Sequence, residues 1–211
     1  MPDFKIEKEY SPSWFICGID EAGRGPWAGP VVAGAVIFPN LQINNELARS
    51  LDDSKKLTAA KRERLFDMLH ASGAFIGCGQ ASVEEIDSLN ILQATFLAMR
   101  RALESIKETK ADFALIDGNK APALYCPCRA VIKGDATSLS ISAASIIAKV
   151  TRDRIMTELS KDYPEYAWDK NAGYGTKAHI DALEKYGVTP HHRKTYAPIR
   201  KILESGNKYN T

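Results

Sequence analysis

The sequence predicts an α/β protein: a mixed five-stranded sheet with helices on both faces and a small helical extension at its C-terminal end. Three observations predict it. Residues 13–20 and 31–38 are apolar runs separated by a gap too short for a helical crossover, so they pair as an antiparallel hairpin. Phe113-Ala114-Leu115-Ile116 is a continuous apolar run of the kind found in strands buried on both faces. Helical periodicity then alternates with strand-like runs through the second half of the chain.

Taken in order, the first strand ends at Asp20, and the second is bounded by Pro30 and Pro39. Residues 58–70 form a helix with Thr58 as its N-cap. Residues 74–82 are a third strand, weakened by Gly77 and Gly79. Residues 90–107 form the most strongly patterned helix, with Leu92, Phe96, Met99, Leu103 and Ile106 on one buried stripe. The fourth strand ends at Asp117-Gly118, and the fifth, residues 129–133, ends at Gly134-Asp135. Residues 140–159 are a long helix rich in small residues, and residues 176–186 another. Residues 161–176 read as a hinge, which divides the chain into a core, 1–160, and an extension, 161–211, packed on it.

Composition sets the bounds. The chain has 211 residues, 45% hydrophobic and 26% charged, which suits one substantial globular domain. A net charge of +2 does not by itself announce a nucleic-acid binder, so local clusters must carry that argument. No stretch approaches the ~20 apolar residues of a membrane span, and the opening residues are too polar for a signal peptide. Cys17 and Cys78 read as small buried hydrophobes, and Cys126-Pro127-Cys128 lacks the second pair a structural zinc needs. Free thiols and no export signal predict a cytoplasmic protein, expected as a monomer.

Acidic residues at strand ends carry the chemistry. Asp20-Glu21 closes the first strand, Asp117 the fourth, and Asp135 follows the fifth after one glycine. If the first and fourth strands are neighbours, Asp20 and Asp117 lie side by side where open α/β sheets place ligands. A turn of the backbone at the strand end would aim Glu21 at the same place. Four oxygen donors of this kind suit magnesium or manganese better than zinc. A pair of such ions suits hydrolysis of a phosphodiester. Taken singly, each acid reads first as a surface residue or a helix cap; their shared position favours the metal.

The segments Gly18-Ile19-Asp20-Glu21-Ala22-Gly23-Arg24-Gly25-Pro26, Asp52-Asp53-Ser54-Lys55-Lys56-Leu57 and Leu115-Ile116-Asp117-Gly118-Asn119 resemble the ribonuclease HII family. So do Val131-Ile132-Lys133-Gly134-Asp135, the run from Ile141 to Asp153, Gly173-Tyr174-Gly175-Thr176 and His191-His192-Arg193. The resemblance implies a ribonuclease H-like fold with a C-terminal helical extension. It implies an endonuclease that cuts the RNA strand of RNA–DNA hybrids. It also implies incision 5′ to a single ribonucleotide in duplex DNA, leaving a 3′-hydroxyl and a 5′-phosphate. Such an enzyme serves DNA replication and repair; recruitment by replication proteins is not readable from the sequence. By motif, Asp20, Glu21, Asp117 and Asp135 would bind two Mn2+ or Mg2+ ions. The backbone of Gly23, Arg24 and Gly25 would contact the ribose 2′-hydroxyl, and Tyr174 would pack on the neighbouring sugar. The chain departs from the family at Asn171-Ala172, where many relatives have His-Lys, so no role is carried over there.

Three further clusters have two readings each. Ser54, Lys55 and Lys56 form either a phosphate site at a helix start, with Ser54 and Lys56 as substrate ligands, or a solvated turn. Ser142, Ser145, Lys149 and Arg152 share a helical stripe that either faces substrate or packs inside. His191-His192-Arg193-Lys194, with Arg200 and Lys201, reads either as a clamp on duplex phosphates or as a solvated basic tail.

Overall fold

The structure is a computed structural model that describes residues 1–51 and 57–206; Ser54 and Lys56 lie outside the described residues. Its sheet has the order β3-β2-β1-β4-β5, built from Ile16–Ala22 (β1), Val31–Ile37 (β2), Phe75–Ala81 (β3), Phe113–Asp117 (β4) and Cys128–Val131 (β5). β1 pairs antiparallel with β2 and parallel with β4, as the hairpin and the buried run predict. β2–β3 is antiparallel and β4–β5 parallel, so the sheet is mixed.

Two helices cover the faces. Ile91–Ser105 (α4) starts at Asn90, whose side chain accepts from the amides of Leu92 and Gln93. Its buried face is Ala94, Thr95, Ala98, Met99, Ala102 and Leu103, rotated from the expected stripe so that Leu92 and Phe96 are only half buried. The cause lies across the interface. A Cβ on Gly79 would meet the Ala102 amide nitrogen at 2.3 Å, and one on Gly77 would meet the Ala102 carbonyl at 2.1 Å. Helix backbone thus rests on strand backbone, and the two glycines that looked like weaknesses of β3 are its docking surface.

Leu139–Asp162 (α5) covers the other face by the same device. A Cβ on Gly18 of β1 would lie 2.1 Å from the Ser140 carbonyl carbon, and one on Gly34 of β2 would lie 2.4 Å from the Ala144 oxygen. Neither neighbour is a flexible side chain. Gly18→Ala should therefore destabilise the fold by about 3 kcal/mol or more, at the upper end of overpacking costs. Denaturant unfolding measures this, and a loss below about 1 kcal/mol would show that the interface yields.

Ala59–His70 (α2) is capped by Thr58, whose hydroxyl accepts from the Lys61 amide. Asn45–Ser50 (α1) and Val83–Leu89 (α3) were not anticipated, although Ser82 and Glu85 form a capping box that marks α3 in the sequence. Trp168–Asn171 (α6), Lys177–Tyr186 (α7) and Ala197–Gly206 (α8) complete the chain. Tyr166, Trp168, Ala182, Leu183 and Ile199 form one apolar cluster with Ala28 and Met156, so the C-terminal helices pack on the loop after β1 and on α5. Cys17 is buried as expected, but Cys78 is exposed: it leaves edge strand β3 on the face opposite Gly77 and Gly79, towards Thr151 of α5.

Candidate active site

Ile19 pairs with Ile116, so Asp20 and Asp117 follow side by side at the carboxyl ends of parallel β1 and β4. Strand alternation aims both at the α5 face. Gly18, two residues before Asp20, abuts Ser140 and Ile141, and Leu115, two before Asp117, packs with Ile141. Asp20 is only 7% exposed. Its Oδ1 accepts from the Glu21 amide at 2.7 Å. Asp117 Oδ1 accepts from the amides of Gly134 at 2.7 Å and Asp135 at 3.4 Å. That pair of bonds ties the end of β4 to the 3-10 turn Gly134–Ala136, which carries Asp135 and is entered through a left-handed Lys133.

The backbone does not turn at the acid pair. β1 continues to Ala22, with Glu21 opposite Ala33, so Glu21 leaves the strand on the α4 face. There it lines a pocket of about 280 Å3 with Arg24, Asp117, Asn119 and Lys120, above Thr95 and Phe96 of α4. Arg24 reaches back to Glu21 at 3.3 Å.

The electrostatics unite the four. Burial pushes the Asp20 carboxyl well above the ordinary carboxylate range, and the charges of Glu21, Asp117 and Asp135 push the same way. Among the described residues, no group of three or more His, Cys, Asp or Glu side chains is arranged to hold a metal ion. The acids are instead a charge cluster centred on a buried member, the arrangement a divalent cation relieves. Their all-oxygen chemistry fits such an ion.

The Gly23–Gly25 turn is held from below. Gly23 has φ +99°, and a Cβ there would lie 2.0 Å from Arg152 Nε. Arg152 donates to the carbonyls of Pro30 at 2.9 Å, Ala28 at 3.0 Å and Ala172 at 2.9 Å. Arg193 donates to Gly29 at 3.0 Å, Arg24 at 3.0 Å and Gly23 at 2.5 Å. Burial, and then the neighbouring Arg193, brings Arg152 down to about 10. Tyr174 is 50% exposed, and its Cε1 would lie 3.3 Å from a Cβ on Gly25, so the ring stands directly over the turn.

This corrects the expected basic clamp. His192 and Arg193 are fully buried and bind protein rather than solvent, because Arg193 satisfies the carbonyls of a turn that makes no sheet bonds there. Lys194 and Arg200 remain exposed. The stripe on α5 resolves likewise: Ser142, Ser145 and Arg152 are buried, and Lys149 pairs with Asp153 at 2.6 Å. Asn171, at the family departure, accepts from the Gly173 amide at 2.8 Å and so shapes the Tyr174 loop. Reading the sequence missed the roles of Arg152, His179 and Arg193, for which no local pattern signals burial.

An acid cluster at the carboxyl ends of paired parallel strands, beside a glycine turn with an exposed tyrosine, suits a metal-dependent nuclease of α/β fold. Comparison with known proteins identifies which kind. Residues 17–199 match the family model described as Ribonuclease HII. The chain is 53% identical over 203 residues to the ribonuclease HII of Paramagnetospirillum magneticum, covering 96% of this chain and 99% of that protein. It resembles the crystal structure of ribonuclease H2 from Pyrococcus horikoshii OT3 with a TM-score of 0.73 and 31% identity, covering 92% of this chain and 99% of that one. It shares the fold of Bst-RNase HIII, solved in complex with Mn2+, with a TM-score of 0.68 and 16% identity over 93% of this chain and 71% of that one. The chain belongs to the ribonuclease HII family and is a metal-dependent endoribonuclease.

Proposed function

We propose that this chain hydrolyses the RNA strand of RNA–DNA hybrids and incises 5′ to a single ribonucleotide in duplex DNA. One observation carries the reading: the charge cluster at Asp20 adjoins a close-approach turn, Gly23–Gly25, with the Tyr174 ring above it. Metal chemistry and ribose recognition would then share one short segment.

Asp20, Glu21, Asp117 and Asp135 would hold two divalent ions. When bound, such ions supply a nucleophilic water at neutral pH and neutralise the leaving oxygen. The protein's part is placement. The Gly134 amide fixes the Asp117 carboxylate through Oδ1. Arg24 covers Glu21 at the rim. The backbone of Gly23, Arg24 and Gly25 reaches the 2′-hydroxyl, because no side chain intervenes at either glycine. Tyr174 packs on the adjoining sugar, and a deoxyribose there fits most closely, which favours an RNA–DNA junction. Ser54 and Lys56 would bind a flanking phosphate.

The test is a duplex DNA with one ribonucleotide, incubated with Mn2+, Mg2+ or chelator. Manganese comes first, since a protein of this fold has been solved with it. A single cut 5′ to the ribose is expected with metal, and none with chelator or with an all-DNA duplex. Cutting of the all-DNA duplex would overturn the ribose reading, and cutting under chelator would overturn the metal reading.

A further inference from the structure

We propose that His179 and His192 form a one-way hydrogen-bond chain that sets the backbone of Tyr174, making both histidines positioning residues for ribose recognition. The proposal rests on the reading of Tyr174 given above.

Both imidazoles are fully buried, and their Nε2 atoms lie 2.9 Å apart. One of the two must donate. The direction follows from groups at the ends that can only donate. The Thr189 backbone amide lies 3.0 Å from His192 Nδ1, so that nitrogen accepts and His192 carries its proton on Nε2. The Trp168 indole N–H lies 3.3 Å from His179 Nε2, so that nitrogen accepts and His179 carries its proton on Nδ1. The two assignments agree: His192 donates to His179 at 2.9 Å, and the longer Trp168 bond shares the single lone pair of His179 Nε2. His179 Nδ1 then donates to the Tyr174 carbonyl at 2.9 Å. Burial lowers both imidazoles, His192 to about 3, so both rings are neutral at physiological pH, as the chain requires.

The chain begins where the ribose turn is anchored. His192 bridges Ala28, the Arg193 amide donates to the Trp27 carbonyl at 2.8 Å, and the Trp27 amide donates to Gly173 at 2.8 Å. The Trp27 ring fills the space a Cβ on Gly175 would need, 2.2 Å away. The histidines therefore join the strap behind Gly23–Gly25 to the loop that presents Tyr174. A half-exposed ring has few neighbours of its own to orient it, so its placement comes from the backbone beneath.

Two measurements test this. Nitrogen-15 NMR of the histidines should show Nδ1-protonated His179 and Nε2-protonated His192; the opposite tautomer on either ring overturns the proposal whatever the activity. Kinetics on the single-ribonucleotide duplex should separate His179→Leu from His179→Asn, which have nearly the same shape. The asparagine amide can replace the Nδ1 donor, and leucine cannot. His179→Leu should lose roughly 10- to 100-fold in kcat/KM, chiefly through KM, with the Mn2+ dependence unchanged. His179→Asn should recover most of that loss. In a Tyr174→Ala background, His179→Leu should cost nothing more. If Tyr174→Ala alone is harmless, the reading of Tyr174 fails and the positioning role falls with it. If Tyr174→Ala is damaging but the His179→Leu loss is absent, or persists in that background, the positioning role alone fails.

Discussion

Asp20→Asn is expected to abolish cleavage and to raise the melting temperature. The activity loss should reach about a thousandfold or more, the cost of removing a ligand from the proposed metal centre that stabilises charge in the transition state. The stability gain has a separate origin. Asp20 is 7% exposed and sits within the fields of Glu21, Asp117 and Asp135. Its folded-state carboxyl is raised, so its contribution to stability is present at low pH and is lost as pH rises through the folded-state value. At neutral pH and without metal, the charged form strains the fold. Asparagine keeps an Oδ1 for the Glu21 amide and removes the charge. Melting should rise by about 2–4 °C per kcal/mol relieved in a domain this size. The difference should shrink as pH falls towards 4, where aspartate is protonated as well. Saturating Mn2+ should stabilise the wild type and not the variant. Asp117→Asn should likewise lose activity, with Oδ1 still accepting from Gly134. Full activity in either variant would remove that acid from the mechanism, and a lower melting point of Asp20→Asn at neutral pH would refute the charge cluster.

The adjacency of Asp20 and Asp117 was legible because strand ends are local signals, and a parallel β1–β4 pair brings these two together without long-range detail. Thr58 was legible as a cap for the same local reason. The orientation of Glu21 was not. Whether β1 stops at Asp20 or runs to Ala22 depends on its pairing with Ala33 and Val32, which the residues around Glu21 do not encode. The α4 stripe was read by size, favouring Leu92 and Phe96; the true interface is set by Gly77 and Gly79 on β3, which select alanine. His192 and Arg193 show the limit most clearly. In sequence they are a run of cations; the distant carbonyls of residues 23–29 turn Arg193 inward, and His179 and Thr189 hold His192 inside.

Arg193→Met should destabilise the protein by about 3–5 kcal/mol, the range for breaking a buried charged network. Arg193 is fully buried, yet its bonds run to carbonyls and to the Tyr196 hydroxyl rather than to a carboxylate. Methionine matches much of its volume and none of its donors. The carbonyls of Gly23, Arg24 and Gly29 would lose an Arg193 donor, at about 1–3 kcal/mol for each left unsatisfied. Tyr196 still reaches Arg24 at 2.6 Å, which limits the total. Melting should fall by roughly 10 °C or more. Arg193→Lys should recover little, because a single ammonium cannot span carbonyls that a planar fork bonds from several nitrogens. Activity should fall further than folding at temperatures where the variant is still native, since Gly23 and Arg24 are the groups released. Metal binding should survive, because Asp117 is held by Gly134 on the far side of the cluster. A variant that melts like the wild type would place Arg193 outside the scaffold. One that melts lower but cuts normally would show that the ribose turn keeps its shape without it.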